Sequence, residues 1–161
     1  MMMADHNSNT QADQHTPQTN PALQRLNVLV GEWTMAISSP AYPSAIAGGH
    51  ASFEWLEGGA FLIMHLGVEQ VGPPSGIVVI GRDESVETYS MLYFDSRGVS
   101  RIYEMSLEGS VWKMHRESPG FWQRFTATFD DDGTTITGRW EKSSDGSNWE
   151  LDLDWSYTRI K

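Results

Sequence analysis

The spacing of apolar residues changes at Gly31, and this change limits the folds that the chain can adopt more than any other feature. Before Gly31, Leu23, Leu26 and Val30 fall on one face of a short helix that begins at Pro21. After Gly31, apolar residues recur at every second position, which is the repeat of a β-strand. Because no second helical pattern follows, we expect the helix to cover one end of a structure built from strands.

Turn residues divide the rest of the chain into about ten strands. The strongest hairpin signals are Gly58-Gly59, Asp95-Ser96-Arg97-Gly98, Glu108-Gly109, Asp132-Gly133 and Asp145-Gly146. Short strands joined by tight turns are typical of an antiparallel meander, and about ten of them can close a barrel with an interior cavity. The predicted fold class is all-β, a ten-stranded antiparallel up-and-down barrel with a short N-terminal capping helix.

The chain of 161 residues is the size of one domain with an additional tail. Residues 1–20 are polar and offer nothing to bury, so we predict a disordered N-terminal tail over 1–20 and a barrel domain over 21–161. His6 and His15 lie near acidic residues in that tail. No element fixes their spacing, and we interpret them as solvated rather than as metal ligands.

The composition excludes several classes of function. The chain contains no cysteine, which rules out disulfides and thiolate chemistry and favours the cytosol. Its formal net charge of -10, without a Lys/Arg cluster, opposes binding to nucleic acid and to anionic lipids. No apolar run approaches the roughly 20 residues that span a bilayer. We expect a cytoplasmic protein that has neither a nucleic-acid nor a membrane partner.

Strand alternation predicts which side chains line the interior. In each late strand an apolar set opposes a polar set, and the apolar set should face inward. The side chains expected to bind a ligand are Tyr103, Met105, Trp112, Met114, Arg116, Gln123, Phe125 and Trp155 of the late strands, together with His65 of the third strand. Trp112, Met114, Phe125 and Trp155 would form the walls of the cavity, and Arg116, Gln123 and Tyr103 would form its polar end.

Arg116 is the most informative member of that set. A guanidinium remains charged inside a protein, so an inward Arg116 needs an anion. The alternation of inward and outward side chains places no carboxylate inside the barrel on the neighbouring strands. The anion is therefore expected to be a carboxylate of the ligand, near Tyr103 and Gln123. The alternative is that Arg116 lies at the mouth of the barrel and extends to water.

The third and fourth strands are apolar on both faces, so parity does not orient them. Either Phe61, Ile63 and His65 or Leu62, Met64 and Leu66 face outward. An exposed apolar face of that size is better explained by a two-fold interface than by contact with water. We expect a homodimer through strands three and four, with His65 either in the cavity or beneath the interface.

The helix, the segment Leu29-Val30-Gly31-Glu32-Trp33-Thr34 and the terminal Trp155-Ser156-Tyr157-Thr158-Arg159 resemble the calycin superfamily of fatty-acid-binding, lipocalin and nitrobindin barrels. More narrowly, the chain is similar to a bacterial family of nitrobindin-like barrels known only as a domain of unknown function. The resemblance covers residues 21–160. It implies a lipocalin-like barrel in which Trp33 on the first strand packs against Arg159 on the last strand and closes the barrel, a contact between a cation and an aromatic ring.

The same resemblance raises haem as a cofactor. Nitrobindins ligate haem iron through a histidine late in the chain, whereas the last histidine here is His115 and the final strand offers Asp152, Asp154 and Tyr157. Because the expected ligand is absent, we predict neither a cofactor nor a metal. Tyr157 could ligate ferric iron as a phenolate, although a tyrosine in a barrel is more often a packed ring.

The function indicated by these features is binding of a small, largely apolar ligand, with a carboxylate as in fatty-acid-binding barrels. One alternative is a cofactor-independent isomerase or cyclase in which His65 or Tyr103 moves a proton in the same cavity. Another is a haem protein of the nitrobindin type. The sequence favours a binding protein over an enzyme, and it does not identify the ligand.

Overall fold

The computed structural model describes residues 20–68, 74–83 and 85–160, and the side chains of residues 42–47 and 57 lie outside this description. The predicted tail falls outside the described residues except for Asn20, as do His6, His15 and the turn at Gly72-Pro73. Asn20 belongs to the folded part, because its side chain accepts a hydrogen bond from the backbone N–H of Ala22 and caps the first helix.

The N-terminal helix is a 3-10 helix over Pro21–Leu29. Its buried residues are Leu23, Leu26 and Leu29, one in every three, which is the repeat of a 3-10 helix. The expected third member of this face, Val30, instead follows the helix and is half-buried. The three leucines are fully buried, so the helix closes one end of the strand structure with an apolar face.

Ten antiparallel strands form a closed barrel in which each strand pairs with its neighbours in sequence and the last strand pairs with the first. The strands are β1 Gly31–Ser39, β2 Tyr42–Leu56, β3 Phe61–Val68, β4 Gly76–Gly81, β5 Tyr89–Asp95, β6 Ser100–Glu108, β7 Val111–Arg116, β8 Trp122–Phe129, β9 Thr135–Ser143 and β10 Glu150–Arg159. This architecture confirms the predicted fold class. Among the described residues, no helix has the length and apolar character needed to cross a membrane.

The second strand begins earlier than the sequence indicates. Pro40 and Pro43 would interrupt strand pairing in most positions because proline has no backbone N–H, whereas β2 begins at Tyr42 and pairs with β1 from Tyr42 to Phe53. The register shifts at Ser38/Ser39, whose partners are Ile46 and Tyr42, so Pro43 falls in a bulge where β1 requires no hydrogen bond from it.

The register resolves the orientation of β3 and β4. Leu62 and Met64 are buried inside the barrel, with Leu66 half-buried on the same face. The opposite set faces outward, and it continues across neighbouring strands in two cross-strand rows. One row is Ile63, Val79, Leu92 and Ile102, and the other is His65, Ile77, Phe94 and Ser100. The outer face of β3–β6 is therefore apolar over four strands.

The end of the barrel beside the helix is closed by side chains of the first and last strands. The indole N–H of Trp33 donates to the carbonyl of Leu29 at 2.8 Å. Arg159 donates to the carbonyls of Val28 and Val30 at 2.6 and 2.7 Å. These bonds satisfy carbonyl groups at the end of the helix, which have no partner within it.

Candidate ligand cavity

The barrel encloses a cavity of about 470 Å³. Its wall includes Ala41, Pro74, Arg97 and Phe121, which lie at or beside the turns at the end of the barrel opposite the helix. The cavity therefore opens at that end, called the mouth here, and is closed at the helical end. The volume falls within the range of about 300–1,000 Å³ that is usual for small-molecule sites.

Aromatic rings form the closed end. The Tyr157 ring lies 6.0 Å from the ring of Trp155 and 6.0 Å from that of Trp112, and 6.4 Å from the ring of Trp33 below it. Burial raises the pKa of the Tyr157 hydroxyl, so it remains protonated. Above these rings the wall is flexible and apolar, with the methionine side chains Met64, Met91 and Met114.

Two N–H groups of this wall are unpaired. The indole nitrogens of Trp112 and Trp155 are buried without a hydrogen-bond partner among the described residues. These side chains are only 1% and 8% exposed, so bulk water does not reach them freely. A buried donor left unpaired costs about 1–3 kcal/mol, so these two indole groups lower the stability of the barrel.

A polar cluster occupies the mouth. The Tyr103 hydroxyl donates to Gln123 Oε1 at 2.8 Å, and Arg101 Nη1 approaches the same oxygen at 3.4 Å. The Arg101 guanidinium also lies 5.3 Å from the centre of the Phe121 ring. Arg101 forms no ion pair with any residue that the structure describes. Burial raises the pKa of Tyr103, so this hydroxyl is a donor at neutral pH.

A second polar group lies beside the first. Asp95 accepts hydrogen bonds from Arg97 Nη2 at 2.7 Å and from the Tyr93 hydroxyl at 2.9 Å. The hydrogen bond from Arg97 holds the pKa of Asp95 well below its usual range. Burial raises the pKa of Tyr93, and its bond to Asp95 adds to that effect. Arg97 is therefore neutralised within the protein, whereas Arg101 is not.

The structure places the sequence-predicted residues in three locations. The cavity wall contains five of them, Tyr103, Trp112, Met114, Gln123 and Trp155. Met105 and Phe125 are buried among the packed core side chains and do not reach the cavity wall. Arg116 and His65 lie elsewhere, for different reasons.

Arg116 was expected inside, beside Tyr103 and Gln123. Arg116 on β7 is the register partner of Gln123 on β8. The hydrogen bond from Tyr103 on β6 to Gln123 crosses β7, the strand that carries Arg116. The half-buried Arg116 side chain instead borders a groove on the outside of β5–β7. The cavity wall contains Arg97 and Arg101, and Arg101 also borders the outer groove. Arg101 was missed by sequence reasoning, although it has the same inward position in the alternation as Tyr103 and Met105 on β6.

His65 is a correction to the interior set, because it lies on the outer face of β3. Its Nε2 is 3.5 Å from Glu54 Oε1 on β2. The other described histidines are also outside, with His50 at 2.6 Å from Glu32 and His115 at 3.8 Å from Glu104. Each pair joins neighbouring strands on the solvent side.

The cavity lacks the histidine of nitrobindin-type haem ligation. Its described wall contains no imidazole, and the chain has no cysteine. Methionine ligates haem in partnership with histidine, which leaves Tyr157 as the residue of the described wall whose phenolate could ligate ferric iron. Among the described residues, no group of three or more His, Asp or Glu side chains is arranged to hold a metal ion.

Comparison with known proteins identifies the fold. The crystal structure of Rv2717c from M. tuberculosis matches with a TM-score of 0.64 and 14% sequence identity, and the match covers 89% of this chain and 100% of that chain. No family model and no curated protein matches the sequence. At this identity the likeness shows a shared barrel architecture, and the antiparallel β-barrel is the level at which the chain is assigned.

Proposed function

We propose that this barrel binds a small, largely apolar ligand that carries a carboxylate. The observation that supports this function is the cavity of about 470 Å³, with aromatic and methionine walls and one open end. A barrel filled by its own side chains would have a core and no such space. The presence of this cavity therefore supports the binding of a small molecule inside the barrel.

Arg101 supports the carboxylate. Its guanidinium lies at the mouth, and within the described part of the chain it has an amide oxygen and an aromatic ring as neighbours but no carboxylate. A guanidinium offers five donors in a planar fork that matches a carboxylate. A ligand entering through the mouth with its apolar part first would leave its anionic group beside Arg101.

We also propose that the barrel is related to calycins of the fatty-acid-binding and nitrobindin type. The pairing of Trp33 with Arg159 and the capping helix support this relationship. The shared architecture with Rv2717c is compatible with it. Under this proposal the ligand site is the interior of the barrel, as in fatty-acid-binding proteins, and haem is not its occupant.

The groups in the cavity favour binding over catalysis. An isomerase or cyclase of the kind considered above needs a proton acceptor near its substrate. His65 lies outside the barrel, and burial raises the pKa of Tyr103 and Tyr157, so both hydroxyls keep their protons at neutral pH. Asp152, the carboxylate of the described wall, lies at the mouth and is paired with Lys142 at 3.5 Å. A ligand protein needs only the walls and the charged mouth.

A decisive experiment is mass spectrometry of the native protein followed by extraction of bound molecules. We expect the extract to contain an acidic, lipophilic compound at up to one molecule per protein chain. The protein freed of this compound should bind a medium-chain carboxylate in calorimetric titration. A protein that yields nothing on extraction and binds neither carboxylates nor lipophilic dyes would contradict the proposed function.

A homodimer through the outer face of β3–β6 is part of the same proposal. The exposed side chains there include Phe61, Ile77, Leu92, Phe94 and Ile102, the last of which is 68% exposed. A continuous apolar surface of this kind is usually a contact surface. A second copy of the chain supplies an identical patch about a two-fold axis, which is the commonest way to cover such a face.

A further inference from the structure

The cavity occupies the half of the barrel nearest the mouth. Four inward positions follow one another along β6, from Arg101 at the mouth to Leu107, and of these only Arg101 and Tyr103 lie in the cavity wall. Met105 and Leu107 are buried below it, at 1% and 3% exposure. β3, β5 and β8 show the same division, because their inward side chains nearer the helix are buried outside the wall: Leu62, Tyr89 and Phe125.

This division makes the cavity shallow and broad. Two successive inward positions lie about 7 Å apart along a strand, and barrel strands are tilted, so two layers of side chains enclose a space on the order of 10 Å deep. A cylinder of that depth with the volume of about 470 Å³ is roughly 8 Å across. An extended fatty acid is longer and narrower than such a space, so its chain would have to bend to fill it.

The two sides of the cavity differ in chemistry. The strands β6–β10, with the residue before β8, supply the aromatic side chains of one side: Tyr103, Trp112, Phe121, Trp140, Trp155 and Tyr157. The strands β3–β5 supply mainly aliphatic and thioether side chains: Met64, Leu66, Val78 and Met91. β9 and β4 are separated by half of the closed strand order, so Trp140 and Val78 lie on opposite sides of the barrel. One side is therefore rigid and aromatic, and the other is adaptable.

Trp140 brings aromatic surface close to the charged group of the mouth. Its side chain is half-buried and lies in the cavity wall. The ring of Tyr103 holds it at 5.6 Å between ring centres, and the Tyr103 hydroxyl donates to the Gln123 oxygen that Arg101 also approaches. A compact ligand can therefore contact the Trp140 ring and the Arg101 guanidinium at the same time.

We propose that the ligand is a carboxylic acid built on a flat ring system, such as a bicyclic aromatic acid, rather than a linear fatty acid. The carboxylate binds at Arg101, one face or edge of the ring packs against Trp140, and the methionines of the opposite side adapt to the rest of it. This inference rests on the proposed function of ligand binding and narrows the ligand class. A rigid ring fills a short, wide space and loses less conformational freedom on binding than a flexible chain does.

The test compares 2-naphthoate with undecanoate in calorimetric titrations of the full-length protein. The two acids have the same number of carbon atoms and the same charge, and the flexible chain of undecanoate exposes more apolar surface. A cavity that recognises only charge and apolar area would therefore prefer undecanoate. We expect the reverse order, with 2-naphthoate binding about tenfold more tightly because of its ring contacts and its rigidity.

Variants locate the effect. In Trp140→Leu the preference for 2-naphthoate should disappear or reverse, since the wall remains apolar and the aromatic surface is lost. Trp149→Leu is the matched control, because Trp149 is also half-buried but does not lie in the cavity wall. That variant should keep the preference.

A spectroscopic measurement makes the test independent of whether the variants fold. In wild-type protein with labelled methionine methyl groups, the ring current of 2-naphthoate should shift the resonances of the wall methionines Met64, Met91 and Met114, and undecanoate should shift them less. Met35 and Met105 are internal controls, because both are buried outside the described wall.

Two kinds of failure are distinguishable. Undecanoate binding as tightly as 2-naphthoate, a preference that survives Trp140→Leu, or wall methionines that 2-naphthoate leaves unshifted would overturn the ring ligand and leave carboxylate binding intact. Failure of both acids and of every lipophilic dye to bind would instead overturn the proposed function, and the ring ligand with it.

Discussion

The guanidinium carbon of Arg159 lies 4.1 Å from the centre of the Trp33 ring, and the two residues face each other in the register of β1 and β10. The same guanidinium donates to the carbonyl of Val28 in the last turn of the helix and to that of Val30, which follows the helix. A Cβ at Gly31, whose φ is 126°, would lie 2.8 Å from Arg159 Nη1, so glycine is required there. One contact thus joins the first strand, the last strand and the helix.

Trp33→Ala is expected to lower the free energy of unfolding by about 3–5 kcal/mol, because it opens a cavity at this junction and removes the partner of Arg159. Urea denaturation measures the loss. Trp149→Ala is the control, since Arg124 lies 4.1 Å from the Trp149 ring but that ring is only half-buried. We expect the control to lose about 1 kcal/mol. Equal losses would mean that the position of Trp33 at the junction adds nothing.

The barrel could be predicted from local rules because its late strands alternate cleanly. On β8, Phe125 and Ala127 are buried while Thr126 and Thr128 are exposed, so one strand reveals its own orientation. β3 has apolar residues on both faces, and only its pairing with β2 and β4 shows that Met64 is inside. The orientation of β3 therefore depends on its pairing with β2 and β4, which the alternation within β3 itself does not reveal.

The polar groups of the site were harder to predict than its walls. Arg101 and Arg116 have the same inward parity on neighbouring strands, and the sequence gives no reason to choose between them. In the structure Tyr103 and Gln123, residues 20 positions apart, are bonded to each other, and it is Arg101 that approaches the same Gln123 oxygen. Long-range bonds of this kind follow from register and are not visible in a local pattern.

Deletion of residues 1–19 should leave the melting temperature nearly unchanged, because these residues offer little apolar surface to bury. The deletion should stop before Asn20, whose side chain caps the helix. Calorimetry of the shortened chain checks this, and Asn20→Ala in the same background should lower stability by about 1 kcal/mol. A fall of several degrees on deletion alone would show that the tail docks on the barrel.

Alkaline pH should destabilise the barrel through Tyr157. Burial raises its folded pKa above the ordinary value of 10.0, so the folded state retains a proton that the unfolded chain releases. The stability is therefore fully present below about pH 10 and falls as the pH rises further, by up to about 1.4 kcal/mol per pH unit for this group. In urea titrations Tyr157→Phe should lose stability less steeply than wild type above pH 10. Parallel curves would show that the hydroxyl is accessible to water.

The outer face of β3–β6 should mediate a dimer in solution. Light scattering at neutral pH and micromolar concentration should give twice the 18.1 kDa mass of the chain. Ile102→Glu should produce monomers, because Ile102 is the most exposed apolar side chain of this face and a charge placed there cannot be desolvated without a partner. Thr128→Glu, an exposed outward position on β8, is the matched control and should remain dimeric. A monomeric wild-type protein would leave the apolar face to another partner.

Arg101 rather than Arg116 should recognise the anionic group of the ligand. Dodecanoate titrated into the two glutamine variants separates them, because both remove one positive charge from the same end of the barrel and therefore change the long-range field similarly. Arg101 borders both the cavity and the outer groove, whereas Arg116 borders only the groove, and neither forms an ion pair with a described residue. Loss of a charge-assisted hydrogen bond of about 1.5–3 kcal/mol predicts that Arg101→Gln weakens binding by roughly 10- to 150-fold. Arg116→Gln should change the affinity for dodecanoate by less than about threefold. Dodecanol, which lacks the charge, should bind wild type and Arg101→Gln about equally.

If the larger loss were found in Arg116→Gln, the carboxylate would lie outside the mouth described here, and entry with the apolar part first would have to be abandoned.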